Sequence, residues 1–366
     1  MEREKQEKQS KKQKKHRVLK IVGILAAGIF SIGIIGYFYL CFHPSIVINA
    51  IQNLLYAGKS ANSYEPLFND PDKVSIRLTK ENGVYYVGDI QYADEYPNSF
   101  LDISYPNEDT SVDRPTIIYL HGGGFFGGSK SYGDPMAAND DATYLYDSMV
   151  LSGYNLVNID YALVPEYHFP TPILQLNQAI NYLILNENDL GLNMKKVVLM
   201  GGSAGAIMTA QYATAISNPE YAELYEFDEA PKLTRADLQA VFIDDAPIDI
   251  PNFDTMAIKI IIANYLDDSV FFLDKKKANW YNAINYLTKD FPPAFMTAGT
   301  DDGFPKDMAH FSKALTELKV DNVNFTTDEK TYGLTKHGYL SGLVNKTPEA
   351  VDCYEAMMKF IGNYTN

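Results

Sequence analysis

Two glycine-rich segments constrain the fold of this chain more than any other feature, because each directly follows an apolar run. HGGG at 121–124 follows the run 116–120, and GGSAG at 201–205 follows the run 196–200. A short apolar run bounded by glycines is typical of a buried strand. Glycine at the following turn lets the backbone take a positive φ or pass close to another backbone. Each segment therefore predicts a tight turn at the end of a buried strand.

The chemistry of these two turns is complementary. The second has the G-x-S-x-G form of a nucleophile elbow, in which Ser203 sits on a strained strand-to-helix turn. The first is a glycine-rich loop whose bare N–H groups can bind a developing oxyanion. G-x-S-x-G alone also arises for packing reasons, but the two motifs in this order predict a serine hydrolase. The positions that support this reading are His121, Gly122, Gly201 and Gly205.

A serine nucleophile needs a base, and the base needs a carboxylate that fixes its tautomer. In strand–elbow–helix hydrolases the chain order is Ser, then Asp or Glu, then His. Only His310 and His337 follow Ser203 among six histidines. His310 lies in a helix-like segment, whereas His337 lies in a loop after the last predicted strand. We therefore predict that His337 is the base.

The acid is expected at the end of the strand-like run 293–297, where Asp301 and Asp302 are adjacent. Neighbouring side chains point in different directions, so one aspartate is expected to face His337. The other is expected to cap the helix that begins near Pro305.

Strands and helices alternate along most of the chain, which predicts a mostly parallel sheet with helices on both faces. The two strands 84–90 and 100–105, which precede this alternation, predict an antiparallel edge of the sheet. Residues 247–290 interrupt the alternation and are expected to form either a lid over the site or an extra pair of packing helices. The predicted strands are 84–90, 100–105, 116–120, 155–160, 196–200, 238–243, 294–297 and 323–326, and the predicted helices are 171–188, 204–217, 305–318 and 348–362.

From about residue 99 onward the chain resembles the hormone-sensitive-lipase-like group of α/β-hydrolases, the family IV type of bacterial esterases. The resemblance is carried by HGGGFFGG at 121–128, DYALVPEYHFP at 160–170, GGSAG at 201–205, AGTDDGFP at 298–305 and HGY at 337–339. It implies an α/β-hydrolase fold and a carboxylic ester hydrolase.

The resemblance also implies roles for particular residues. Asp302 matches the acid of that group better than Asp301, because the spacing to the following helix then needs no gap. The oxyanion donors would be the backbone N–H groups of Gly123, Gly124 and Ala204. Two departures stand out: Gly202 replaces an acidic residue before the nucleophile, and PEYH at 165–168 replaces Pro-Glu-His-Pro.

The N-terminal region predicts a membrane anchor. Residues 1–20 carry nine Lys or Arg against three Glu, and residues 21–42 contain no charge, enough to span roughly 33 Å as a helix. A cleaved signal peptide is the main alternative, but the run is longer than the usual apolar region of such a peptide and ends in bulky aromatics, which favours an uncleaved anchor. By the positive-inside rule, residues 1–20 are expected in the cytoplasm and the body outside the cell. Residues 43–80 are expected to form a membrane-proximal segment, and 81–366 the catalytic domain.

The charge of the body excludes one class of function. Residues 21–366 carry 22 basic and 43 acidic side chains, and such an acidic surface does not favour nucleic-acid binding. No His or Cys cluster has metal-ligand spacing, and no cofactor is implied. Gly23, Ala27 and Ser31 share one face of the predicted span and support a homo-oligomer only weakly.

The sequence therefore predicts a membrane-anchored serine hydrolase that cleaves carboxylic esters, either small molecules or esters of the cell envelope. A peptidase or amidase would use the same residues. A catalytically silent adhesion or binding module is the alternative from another class, and the intact Ser203 and His337 argue against it.

Overall fold

A nine-stranded sheet forms the centre of the molecule. The structure, a computed structural model, describes residues 1–2, 5, 20, 30–66, 76–139, 141–301 and 303–365. The strand order is β1-β2-β3-β5-β4-β6-β7-β8-β9. The pairs β1/β2, β2/β3 and β3/β5 are antiparallel, and all remaining pairs are parallel. The strands are β1 Ile76–Thr79, β2 Tyr85–Gln91, β3 Phe100–Tyr105, β4 Pro115–Leu120, β5 Asn155–Ile159, β6 Asn193–Gly202, β7 Leu238–Asp244, β8 Ala294–Ala298 and β9 Asn322–Thr326.

Helices cover both faces of this sheet. Alternate side chains of β4 pack on opposite sides: Ile118 and Leu120 belong to one buried cluster, and Ile117 and Tyr119 to the other. This alternation is the period-two geometry of a strand that is buried on both faces. The helices are α1 Phe30–Phe42, α2 Ser45–Leu55, α3 Thr143–Leu151, α4 Thr171–Leu185, α5 Glu187–Leu190, α6 Ala204–Ser217, α7 Pro219–Glu223, α8 Met256–Tyr265, α9 Lys275–Tyr281, α10 Pro305–Glu317, α11 Glu329–Tyr332 and α12 Pro348–Thr365.

The predicted architecture is confirmed in its main parts. All eight predicted strands and the antiparallel edge are present, and α6 begins and ends where expected. Several short elements were missed, among them β1, α3, α7 and α11. Strand β1 has only four residues, three of them exposed, so it lacks an apolar signature. Helix α3 is short and contains no Lys or Arg, and its apolar residues do not follow a clear helical period.

The segment 247–290 is helical, as predicted. It contains two short 3-10 helices, Ile250–Asn252 and Ala283–Tyr286, on either side of α8 and α9. Helix α8 packs against α2, the helix that follows α1.

The N-terminal helices form a bent pair. Within the described ranges no single helix is both long and apolar enough to cross a bilayer, and α1 and α2 reach that length and composition only together, with an 80° bend between them. Residues 21–29 of the predicted anchor lie outside the described residues. The last turn of α1 packs onto the body, since Cys41 is 3% exposed and its carbonyl accepts the N–H of Val270 at 3.0 Å.

Candidate active site

Ser203 lies between β6 and α6 in a strained conformation. Its φ is +53°, which is unusual for a residue with a side chain, and its N–H donates to the carbonyl of Asp244 at 2.7 Å. A Cβ on Gly205 would lie 2.0 Å from the carbonyl oxygen of Leu120. Only glycine fits at that position, because the first turn of α6 passes directly over the end of β4. This geometry matches the strained turn that the motif predicts.

The loop after β4 supplies the neighbouring backbone. Gly123 and Gly124 both have positive φ, +99° and +59°. A Cβ on Gly123 would lie 2.1 Å from the carbonyl oxygen of Gly127, so the loop turns back on itself. Gly124 and Ala204 line the same cavity as Ser203. The structure thus brings together the glycine-rich loop and the elbow, as the sequence predicts.

A buried ionic cluster holds the base of this loop. The Lys130 ammonium is 2.7 Å from Asp89 and 3.0 Å from Asp102. The backbone N–H of Lys130 donates to the Asp160 carboxylate at 2.5 Å. Burial lowers the pKa of Lys130, but the surrounding carboxylates of Asp160, Asp102 and Asp89 raise it further, so the group stays charged. Such a network fixes the loop because a partner lost from it would leave a charge buried alone.

His337 lines the same cavity as Ser203 and is 9% exposed. Its Nδ1 lies 3.3 Å from Asp245 Oδ2, and its Nε2 lies 3.9 Å from Asp134 Oδ2. Burial alone would lower the pKa of His337, but the attraction of these two carboxylates raises it well above its usual value. His121, by contrast, has its pKa lowered to about 4 by burial and donates Nδ1–H to the carbonyl of Gly122.

The structure describes only one of the two aspartates predicted as acid candidates. Asp302 lies outside the described residues. Asp301 is exposed at the rim of the cavity, and its N–H donates to the carbonyl of Thr335. The expectation that Asp301 caps the following helix is wrong. Phe304 occupies the N-cap position of α10 without a side-chain cap, and its N–H donates to Asp245 Oδ1 at 2.7 Å.

Asp245 is a central residue of the site that the sequence analysis missed. It is fully buried, and its Oδ2 accepts the N–H groups of Gly299 at 3.0 Å and Gly338 at 2.9 Å. One carboxylate thus joins the end of β7, the loop after β8 and the loop that carries His337. A signal was available, because Asp245 comes two residues after the predicted parallel strand 238–243, and parallel strands end at the same edge of the sheet as the elbow.

Two spaces meet at Ser203. The larger is a cavity of about 520 Å³, and α8 supplies much of its apolar wall through Ile258, Ile261 and Ile262. The smaller, of about 20 Å³, has a mixed lining in which Tyr119, Asn139 and Ser341 supply polar groups. That size admits about one water molecule. The site therefore has an apolar helix wall on one side of the nucleophile and a small space with several polar side chains on the other.

Carboxylates border the smaller space. Asp134 and Asp244 both line it, and burial together with the neighbouring Asp245 raises the pKa of Asp244 well above its usual value. Asp244 is paired in register with Gly202, the position where the resemblance leads one to expect an acidic side chain. Within the described part of the chain, no three His, Cys, Asp or Glu side chains are grouped so as to hold a metal ion.

A family model described as BD-FAE matches residues 101–314. Lipase 2 of Moraxella sp. (strain TA144) is 28% identical over 125 residues, which are 34% of this chain and 27% of the lipase. The ethyl acetate hydrolase of Pseudomonas putida is 25% identical over 186 residues, which are 46% of this chain and 53% of that protein. The chain therefore spans between a quarter and about half of the curated relatives it matches.

Solved structures share the fold. An inhibited esterase B from Lactobacillus rhamnosis superposes with a TM-score of 0.64 at 18% identity, over 78% of this chain and 89% of that one. A fungal esterase from Rhizomucor miehei gives a TM-score of 0.58 at 19% identity, over 87% and 97% of the two chains.

Proposed function

The chain belongs to the BD-FAE family, an α/β-hydrolase family, and from this premise we propose that it hydrolyses carboxylic esters with Ser203 as nucleophile. The observation that carries the proposal is that Ser203 and His337 line one cavity, which Gly124 of the glycine-rich loop also borders. The similarity to a lipase and to an ethyl acetate hydrolase supports the same chemistry.

The proposed reaction follows from the placement of these groups. His337 Nε2 takes the proton of the Ser203 hydroxyl as its oxygen attacks the ester carbonyl carbon. The tetrahedral oxyanion accepts hydrogen bonds from the N–H groups of Gly123, Gly124 and Ala204. The imidazolium then gives its proton to the leaving alcohol. Water repeats the sequence on the acyl-enzyme and releases the acid.

We assign the acid of the triad to Asp302, on the resemblance of AGTDDGFP to the acid segment of family IV esterases. Asp245 then serves as a second carboxylate near Nδ1, and its three backbone hydrogen bonds suit it to holding the His337 loop in place. The two roles differ physically. A triad acid stabilises the imidazolium, whereas a carboxylate that binds N–H groups from two loops mainly orients those loops.

We propose that the cavity binds the acyl group of the substrate and favours short acyl chains. Its wall from α8 is apolar, and a Cβ on Gly124 would lie 3.2 Å from Ile261 Cγ2, so α8 stands directly against the oxyanion loop. Acetyl and other short acyl esters, whether small molecules or esters of the cell envelope, are the proposed substrates.

We further propose that residues 21–42 anchor the enzyme in the cell membrane as a single span, with residues 1–20 in the cytoplasm and the catalytic domain outside. The proposal rests on the uncharged run and on the excess of basic residues before it.

Turnover of p-nitrophenyl esters of graded chain length tests the proposed reaction. The full chain should hydrolyse the acetate and butyrate esters, and Ser203→Ala should reduce kcat by a factor of about 10³–10⁶. Its melting temperature should stay close to that of the parent, because the hydroxyl makes few packing contacts. Activity of the variant within tenfold of the parent would show that Ser203 is not the nucleophile.

A further inference from the structure

The outer face of α2 is exposed and uncharged, and its large side chains are apolar, with Asn49 and Asn53 as its exposed polar residues. Ile46 is 42% exposed, Ile51 37%, Leu54 85% and Leu55 51%. A helix that faces water normally carries charged side chains on its outer face. No Asp, Glu, Lys or Arg occurs anywhere from residue 21 to residue 58. The exposed face of α2 therefore suits an apolar partner better than water.

This helix is fixed firmly to the body beneath it. The Gln52 side-chain amide donates to the carbonyls of Phe126 at 2.8 Å and Val164 at 2.6 Å, and Ile48 is fully buried. Phe126 belongs to the glycine-rich loop of the active site. The outer face is thus held at a set position relative to the site.

A second apolar segment lies at the end of α1. The N–H of Val270 donates to the carbonyl of Cys41, and the rings of Phe42 and Phe271 are 5.5 Å apart. Phe271 and Leu273 are 44% and 60% exposed. We call Ile46, Ile51, Leu54, Leu55, Phe271 and Leu273 the α2 patch. The patch flanks the point where α1 meets the body.

The angle between α1 and α2 indicates which kind of partner covers the α2 patch. A helix that crosses a bilayer runs close to its normal, and α2 makes an 80° bend with α1, which belongs to the uncharged run. Helix α2 would then lie nearly in the plane of the membrane, as interfacial amphipathic helices do. We propose that the α2 patch binds the surface of the lipid bilayer and is immersed in its interface. This inference rests on the proposed membrane anchor.

The position of the patch has a consequence for substrate access. Helix α2 packs against α8, and α8 lines the cavity through Ile258, Ile261 and Ile262. Two packed helices, α2 on the bilayer and α8 behind it, therefore lie between the membrane and the ester-binding cavity. Esters dissolved in the membrane therefore reach the site over a short path, in addition to esters dissolved in water.

Insertion of the patch is tested on the full chain reconstituted in phosphatidylcholine vesicles. Leu54→Trp places an indole on the patch, and Leu185→Trp places one on an equally apolar but distant exposed position at the end of α4, where Leu185 is 66% exposed. Brominated phospholipid should quench the added fluorescence of Leu54→Trp and leave that of Leu185→Trp unchanged. Equal quenching of the two variants would overturn the proposal.

Activity gives a second readout. Leu54→Asp should lower hydrolysis of hexadecyl acetate, an acetyl ester of a long-chain alcohol dissolved in the vesicles, by about tenfold, because the aspartate cannot enter the interface. Hydrolysis of p-nitrophenyl acetate in water should stay within about twofold, and Leu185→Asp should leave both rates unchanged. Equal effects of the two substitutions on the vesicle substrate would contradict the proposal.

The possible failures are distinguishable. Loss of acetate hydrolysis in the parent would refute the proposed esterase, whereas fluorescence quenching needs no activity. Failure of the parent to float with vesicles would refute the anchor. A change of oligomeric state in Leu54→Asp without quenching of Leu54→Trp would show that a second copy of the chain, and not lipid, covers the patch.

Discussion

At the scale of single residues, the environment of His337 is unusually acidic. Asp134 faces Nε2 from the loop after β4, Asp245 faces Nδ1 from the end of β7, Asp244 lines the adjoining space, and Asp301 lies at the cavity rim. The carboxylates stabilise the imidazolium that forms when Ser203 loses its proton. They also raise the pKa of His337 in the free enzyme, so the imidazole stays protonated, and unable to accept the proton of Ser203, up to a higher pH.

We therefore expect kcat/KM to rise with pH, and the pH at which this acidic limb of the profile reaches half its height should lie above the usual pKa of histidine. Only neutral His337 can accept the proton, and a raised pKa means that this form is lost as pH falls through a higher value. Asp134→Asn removes one charge with little change of shape, so the limb should move to lower pH. Profiles measured with p-nitrophenyl acetate check this.

The matched control is Asp113→Asn, which removes the same charge from an exposed position where Asp113 accepts a hydrogen bond from Asn193. It should leave the profile unchanged. An equal displacement in both variants would mean that only the net charge of the protein acts on His337.

The choice of acid gives a second prediction. Asp302→Asn should lower kcat by about 10²–10⁴ with little loss of stability, because the imidazole loses its orienting partner. Asp245→Asn should lower the free energy of unfolding by about 1–3 kcal/mol, since one buried and two partly buried backbone N–H groups depend on its carboxylate. Asp301→Asn should have small effects on both quantities.

Kinetics and thermal melts of the three variants check the assignment. If Asp245→Asn costs more in kcat than Asp302→Asn while its melting temperature is unchanged, Asp245 is the triad acid.

Some residues of this site could be predicted from the sequence and others could not. Ser203 and His337 could be predicted because local motifs and chain order restrict them to a few positions. Asp134 and Asp245 lie far from His337 along the chain, and only the folding of separate loops brings their carboxylates to the imidazole.

At the scale of elements, α8 determines the shape of the cavity. Ile261 reaches Gly124 of the glycine-rich loop, so its side chain limits the space available to an acyl chain. The strands were predictable because buried parallel strands are short, continuous and apolar. The role of α8 could not be predicted, because an apolar helical segment has the same sequence pattern whether it forms a cavity wall or packs elsewhere.

Ile261→Phe should shift the preference of the enzyme toward shorter acyl chains. The larger ring fills part of the cavity, and an effect of one methylene group corresponds to roughly 10–200-fold in the ratio of kcat/KM for hexanoate to that for acetate. Met256→Phe, on the same helix but outside the cavity lining, is the control. An unchanged ratio in Ile261→Phe would show that the acyl chain lies elsewhere.

At the scale of the whole molecule, the proposed topology predicts which parts a protease can reach. Protease added to intact cells should digest the body and leave the basic arm at residues 1–20, because the positive-inside rule keeps that arm in the cytoplasm. Epitope tags at both ends, followed by immunoblotting, measure this. Digestion of the arm with protection of the body, or a mature N-terminus after residue 42, would refute the anchor.

Labelling of the full chain with an organophosphonate ester tests the central claim most directly. A serine activated by a histidine attacks the phosphorus and remains covalently modified. Mass spectrometry of the digested protein should locate one adduct on Ser203, its formation should slow strongly in His337→Gln, and no adduct should form in Ser203→Ala. Labelling at another residue, or equal labelling of the parent and Ser203→Ala, would contradict the account.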